Sequence, residues 1–125
     1  MSDPIMGAMK ASASGMTAQT TRLRLTAENL SNADTPGYRR KLTSFAETDG
    51  GVAAGRTRLD RTERARVFEP EHPLADADGT VLMSNVDAMI ELADAREAGR
   101  GFDANLQVFG QARRLYDGLI GILRR

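Results

Sequence analysis

The chain has 125 residues, of which 41% are hydrophobic, 27% charged and only 5% aromatic, with no Trp. So few large aromatics leave little material for one round, deep core, although the length suits one ordinary domain. The net charge of zero argues against a dedicated nucleic-acid binder, and the lack of Cys excludes disulfides, zinc–thiolate sites and cysteine nucleophiles.

The first segment, residues 1–35, predicts a long helix. Asp3 is a natural N-cap and Pro4 suits the first helical position. Met6, Met9, Ala13, Met16, Thr20, Leu23, Ala27 and Leu30 step by three and four, a heptad seam against another helix. The seam is weak, and Ser12, Ser14, Gly15, Thr17, Thr20 and Thr21 lower helix propensity. Such a helix needs a partner. Pro36 pushes the residue before it out of helical geometry, so the helix should end near Asn32 or Ala33. Thr35-Pro36-Gly37-Tyr38 then fits a type II turn.

Residues 36–83 read as that turn, flexible connections and short strands. Gly50-Gly51 and Gly55 mark flexible points, while Arg64–Phe68 and Thr80–Met83 suit strands. A small sheet of this kind needs support from elsewhere. The basic cluster Arg39-Arg40-Lys41 reads by default as a solvated turn.

The last segment, residues 84–125, predicts a second long helix. Ser84 with Asp87 three later resembles a capping box. Phe102, Asn105, Phe109, Ala112, Tyr116, Leu119 and Leu123 again step by three and four. Gly99 and Gly101 mark a kink or a close backbone approach. A continuous helix would run about 38 residues, or roughly 57 Å. The fold expected from the residues is mainly α: two long terminal helices with weak seams, and a small irregular or β middle region between them.

Charge is blocked along the chain: residues 39–68 carry a net +4, residues 69–103 a net −7 and residues 104–125 a net +3. A solvated surface explains this, and so does complementarity between neighbouring copies or partners. No apolar run reaches the roughly 18 residues of a membrane span. The N-terminus shows no cleavable secretory signal.

Catalytic chemistry finds little footing. Setting Gly79 of LADADG at position six of a calcium loop puts Leu74 and Asn85 at its two ligand ends, and both fail. His72 is the only histidine, and Pro70 and Pro73 splay it from Glu69 and Glu71. Asn29-Leu30-Ser31 matches a glycosylation sequon but lies in the helical seam. No nucleophile elbow or phosphate loop is present. No catalytic, cofactor-binding or metal residues are therefore assigned, and an enzyme built on His72 ranks last.

AENLSNADTPGY, residues 27–38, resembles the N-terminal signature of bacterial flagellar axial proteins, carried by Asn29, Asn32, Pro36, Gly37 and Tyr38. VFEPEHPLADADGTVLMSNVD, residues 67–87, is similar to the rod protein C family of proximal rod subunits, through Glu69, Pro70, His72, Pro73, Asp76, Asp78, Gly79, Asn85 and Val86. The resemblance implies a structural subunit of the proximal rod, or drive shaft, of the flagellar basal body. Such subunits leave through the flagellar type III apparatus and assemble helically in the periplasm with themselves and other rod subunits, near MS-ring and export-gate proteins. The resemblance also implies that the terminal helices pair as an antiparallel coiled-coil hairpin, with Met9, Met16, Leu23 and Leu30 against Phe102, Phe109, Tyr116, Leu119 and Leu123 as its seam. No cofactor or nucleic acid is implied. Two alternatives stay open: another axial subunit of the same class, and a soluble coiled-coil adaptor.

Overall fold

The structure, a computed structural model, describes residues 3–124. Residues 1, 2 and 125, the outer ends of the two predicted terminal segments, lie outside that range. Helix α1 spans Pro4–Ser31, with Asp3 as N-cap accepting the Ile5 N–H at 2.9 Å. Two of its hydroxyls turn inward: Ser12 and Thr26, both buried, each donate to the carbonyl four residues back at 2.8 Å. This satisfies them without solvent and lets them face another helix. Asn32 closes the helix, its amide donating to Glu28 O at 2.8 Å. Gly37 has φ 77 and the Tyr38 N–H donates to Thr35 O at 3.2 Å, a type II turn.

The middle region is more ordered than its sequence suggests. It forms three antiparallel two-stranded ribbons: β1 (Lys41–Leu42) with β4 (Arg58–Leu59), β2 (Phe45–Thr48) with β3 (Gly51–Ala54), and β5 (Arg66–Phe68) with β6 (Thr80–Leu82). The glycines expected to loosen residues 50–55 instead build a hairpin. Asp49-Gly50 makes its turn with Gly50 at φ 78, a role that suits Asp-Gly. A lone ribbon is marginal in water, and α1 supports this one: the Val52 N–H donates to Ser14 Oγ at 3.0 Å.

Helix α2 spans Ala88–Leu123, 36 residues, with no break at Gly99 or Gly101. Its N-cap is Asp87, which accepts the Met89 N–H at 2.9 Å. The capping box expected at Ser84 does not form, because Ser84 is buried and donates to Ala33 O at the end of α1.

The two helices pack antiparallel. A Cβ on Gly15 would lie 2.6 Å from Asn105 Oδ1, and one on Gly101 would lie 2.5 Å from Gln19 Nε2. Four residues forward on one helix thus answer to four back on the other. Neither reading of the α2 glycines is met as expected: the helix does not break, what comes close to Gly101 is the Gln19 side chain and not a backbone, and Gly99 meets nothing within 4 Å.

The seam itself needs correction. The fully buried row of α1 is Ser12, Gly15, Ala18, Leu25, Thr26 and Asn29, running largely one residue ahead of the predicted one. Met9, Met16, Leu23 and Leu30 are half-buried flanks, and Met6, Thr20 and Ala27 are exposed. Small residues win the interface because they let the backbones approach; the larger apolar side chains are displaced to its edges. On α2, Ala98 and Ala112 are buried, Phe102 and Phe109 half-buried, and Tyr116, Leu119 and Leu123 exposed. Continuing the Gly15–Asn105 register leaves residues 117–124 beyond the start of α1, so Leu119 and Leu123 have no facing helix among the described residues.

Candidate functional site

The N-terminal signature is a device for folding the chain back onto its own helix. Asn29 is buried, at 1% exposure. Its Oδ1 accepts from Tyr38 Oη at 2.8 Å and the Lys41 N–H at 2.9 Å, and its Nδ2 donates to Lys41 O at 3.0 Å. A buried amide with three such bonds both stabilises and specifies a conformation. Burial, then the nearby Glu28 carboxylate, push the Tyr38 hydroxyl pKa above its usual value. Asn32 accepts from Thr35 Oγ1 at 3.1 Å, tying the helix end to the turn that Pro36 and Gly37 shape.

The returning strand delivers Arg40 into the angle between the helices. Its guanidinium contacts Glu91, Asp94 at 2.8 Å and Asp60 at 3.5 Å, while its backbone N–H donates to Asn85 Oδ1 at 2.6 Å. The Asn85 amide then binds Asp60 O at 2.9 Å and Thr62 O at 3.1 Å. Glu91 is only 1% exposed, a burial that a carboxylate tolerates only with a hydrogen-bonded cation. Desolvation works against the Arg40 charge, but the Glu91 hydrogen bond, with attraction from Glu91 and Asp94, carries its pKa upward. The Asp60 pKa is lowered by hydrogen bonds from Thr62 and then by Arg40. A cleft of about 260 Å³ opens beside this network. Its charged walls are already engaged: Arg40 as above, Arg22 with Asp94 at 3.5 Å, and Lys41 with Glu28. The arrangement is a joint between segments, with neither a nucleophile–base pair nor a histidine among its lining residues.

The second motif divides. Its C-terminal end, Asn85 and Val86, belongs to the joint, where the Val86 N–H donates to Ser84 Oγ at 3.3 Å. The Gly37 N–H donates to Leu82 O at 2.8 Å, so the Pro-Gly-Tyr turn and β6 are fastened together. The remaining residues stand apart as the β5–β6 loop. Asp76 Oδ1 accepts from the N–H groups of Asp78 and Thr80 at 2.9 and 3.0 Å. Gly79, at φ 77, leaves room for Phe68 and Pro70. His72 Nδ1 accepts the Leu74 N–H at 3.0 Å. Glu69, Pro73 and Asp78 are exposed. LADADG is thus a turn that Asp76 organises.

Residues 9–39, α1 and its turn, match a family model described as flagella basal body rod protein. Flagellar basal-body rod protein FlgC of Agrobacterium fabrum is 42% identical, covering 98% of this chain and 97% of its own. The FlgC of Salmonella typhimurium is 33% identical, over 82% and 85% of the two chains, and that of Bacillus subtilis 28%, over 78% and 84%. The chain belongs to the FlgC family of flagellar basal-body rod proteins. As a FlgC-family member it is a structural subunit of the flagellar rod.

Sequence reasoning missed the centre of this joint. Arg39-Arg40-Lys41 passed as a solvated turn, yet Arg40 is largely buried and Lys41 half-buried. A signal was present: Glu91, Asp94 and Ala98 share one helical face, so two carboxylates sat on a stripe leading to a core alanine. Acids placed there require a buried base, and the nearby basic run could supply it.

Proposed function

We propose that the chain is a subunit of the proximal rod, the drive shaft of the basal body. It assembles helically with further copies and with other rod proteins, and passes torque through many packed helix contacts. It reaches the periplasmic rod through the flagellar type III apparatus, with MS-ring and export-gate proteins as neighbours at the base. It works without catalysis, cofactor or nucleic acid. The motif residues act as shapers of the subunit. Met9, Met16, Leu23, Leu30, Phe102, Phe109, Tyr116, Leu119 and Leu123 act as flanks that meet neighbouring helices.

One observation carries this reading: the large apolar side chains lie mostly outside. The buried apolar set is Ala18, Leu25, Val81, Ala98 and Ala112, whereas Leu115, Leu119, Ile122 and Leu123 are 59, 50, 66 and 79% exposed. A contiguous apolar face of that kind marks an interaction surface. The test is Leu119→Asp. The isolated chain should keep its circular dichroism and the variant should still be exported, but rods should fail and swimming should stop. Normal swimming would overturn the reading.

A further inference from the structure

We propose that successive copies also join outside the helices, the β5–β6 tip of one copy entering a cleft beside β1 and β4 of the next. This deepens, and rests on, the rod-subunit reading. The cleft measures about 760 Å³ and is lined by Leu42 and Leu59 with Arg39, Arg58 and Arg61 around them. Leu59 is 54% exposed. Among the described residues, neither Arg58 nor Arg61 has an acidic partner, whereas Asp60 between them is committed to Arg40. The tip mirrors this composition. Phe68 and Leu74 are 70 and 66% exposed, and Glu69, Glu71 and Asp78 stand around them, exposed and without ion pairs among the described residues. Phe68 Cε2 lies 3.0 Å from where a Gly79 Cβ would stand, so the ring rests against the glycine and still faces outward.

An apolar pair ringed by acids therefore faces an apolar pair ringed by bases. No tip residue lines the cleft of its own chain, so the match is left for another molecule. Two different patches on one subunit make a head-to-tail contact, which propagates where it does not close. Charge sets the register and speeds encounter, and the four apolar side chains leave water. The occupant is a second copy because both halves stand on the same chain, within blocks of net +4 and −7.

The chain has no Cys, so cross-linking is clean. Leu59→Cys and Phe68→Cys singles, mixed at low salt with a mild oxidant, should give disulfide dimers roughly tenfold above either variant alone. No excess would overturn the joint. In isolated basal bodies, the double variant should give a ladder of this chain alone; a cross-link to another rod protein would overturn the choice of occupant. Reversing Arg58 and Arg61 to Glu, or Glu69 and Glu71 to Arg, should each suppress the cross-link, and combining all four should restore it. Failure to restore would also sink the joint. A missing cross-link with the chain still present in basal bodies defeats this contact only. A chain absent from basal bodies defeats the rod reading, and the joint with it.

Discussion

The joint around Arg40 and the far end of α2 invert the usual arrangement. At the joint, Asn29, Ser84 and Glu91 are buried and bonded, while at the α2 end Leu119, Ile122 and Leu123 face outward. A chain that folded for itself would bury the leucines first, since each is worth about 1.5–3 kcal/mol of transfer. This one spends its internal specificity on polar groups that fix how its segments meet. On the proposed reading, the exposed apolar face at the end of α2 serves contacts between molecules. In the proposed rod, each subunit would hold a defined shape of its own and gain further stability from its neighbours.

The strongest way to break that contrast is Arg40→Ala. It strands the Glu91 carboxylate, and breaking a buried pair from one side removes about 3–5 kcal/mol. With so small a core, urea unfolding should lose its cooperative transition. Leu119→Asp, by comparison, should stay within roughly 0.5 kcal/mol in the isolated chain, as surface changes do. If the two variants unfolded alike, the division of labour would be wrong. Next in size is Asn29→Ala, which leaves Tyr38 Oη, the Lys41 N–H and Lys41 O without their partner. A loss of about 1–3 kcal/mol is expected in the same assay.

The helix pair allows a finer comparison. Gly99→Ala should stabilise the chain by about 1 kcal/mol, since it gains helix propensity and meets nothing within 4 Å. Gly15→Ala should gain nothing or lose, because its Cβ would stand 2.6–2.7 Å from the Asn105 amide. Thermal melting by circular dichroism separates the two. Equal shifts would mean that the Asn105 side chain moves aside without cost and does not hold the packing at Gly15.

What could be read beforehand follows the same division. The start and end of α1, the type II turn and the β5 and β6 strands were visible because caps, Pro-Gly and strand composition are local signals, whereas the antiparallel pairing was expected from the family resemblance and the start of α2 was misplaced at Ser84. The seam was read one residue late because hydrophobicity ranks Met above Ser, while close packing here favours Ser12, Gly15 and Ala18. The joint stayed hidden because Arg40 lies 51 residues from Glu91 and no local rule connects them. The hairpin of β2 and β3 was missed for a different reason: Gly50-Gly51 was read as flexibility, although Asp49-Gly50 is also a turn signal.

The smallest effect separates the joint from the rest by pH. Tyr38 and Lys41 both have pKa values raised above their ordinary 10.0 and 10.5, Tyr38 by burial and then Glu28, Lys41 by its hydrogen bond to Glu28. A group whose folded pKa is raised contributes stability that is fully present below its unfolded pKa and is lost as pH rises through the folded one. Stability should therefore begin to fall above about pH 10, and the loss should originate at the joint, where both groups sit. At the other limit Asp60 and Asp76, whose pKa values are lowered from 3.8, contribute above that value and release their share as pH falls through their folded pKa. The chain has two tyrosines, Tyr38 and Tyr116, so Tyr116→Phe makes the tyrosinate absorbance report on Tyr38 alone. Its midpoint should lie above 10.0 and move down when Glu28→Gln is added, because the carboxylate no longer opposes ionisation. A Tyr38 that titrates at 10.0 in both backgrounds would place it in water, and the closure of the signature onto α1 would have to be abandoned.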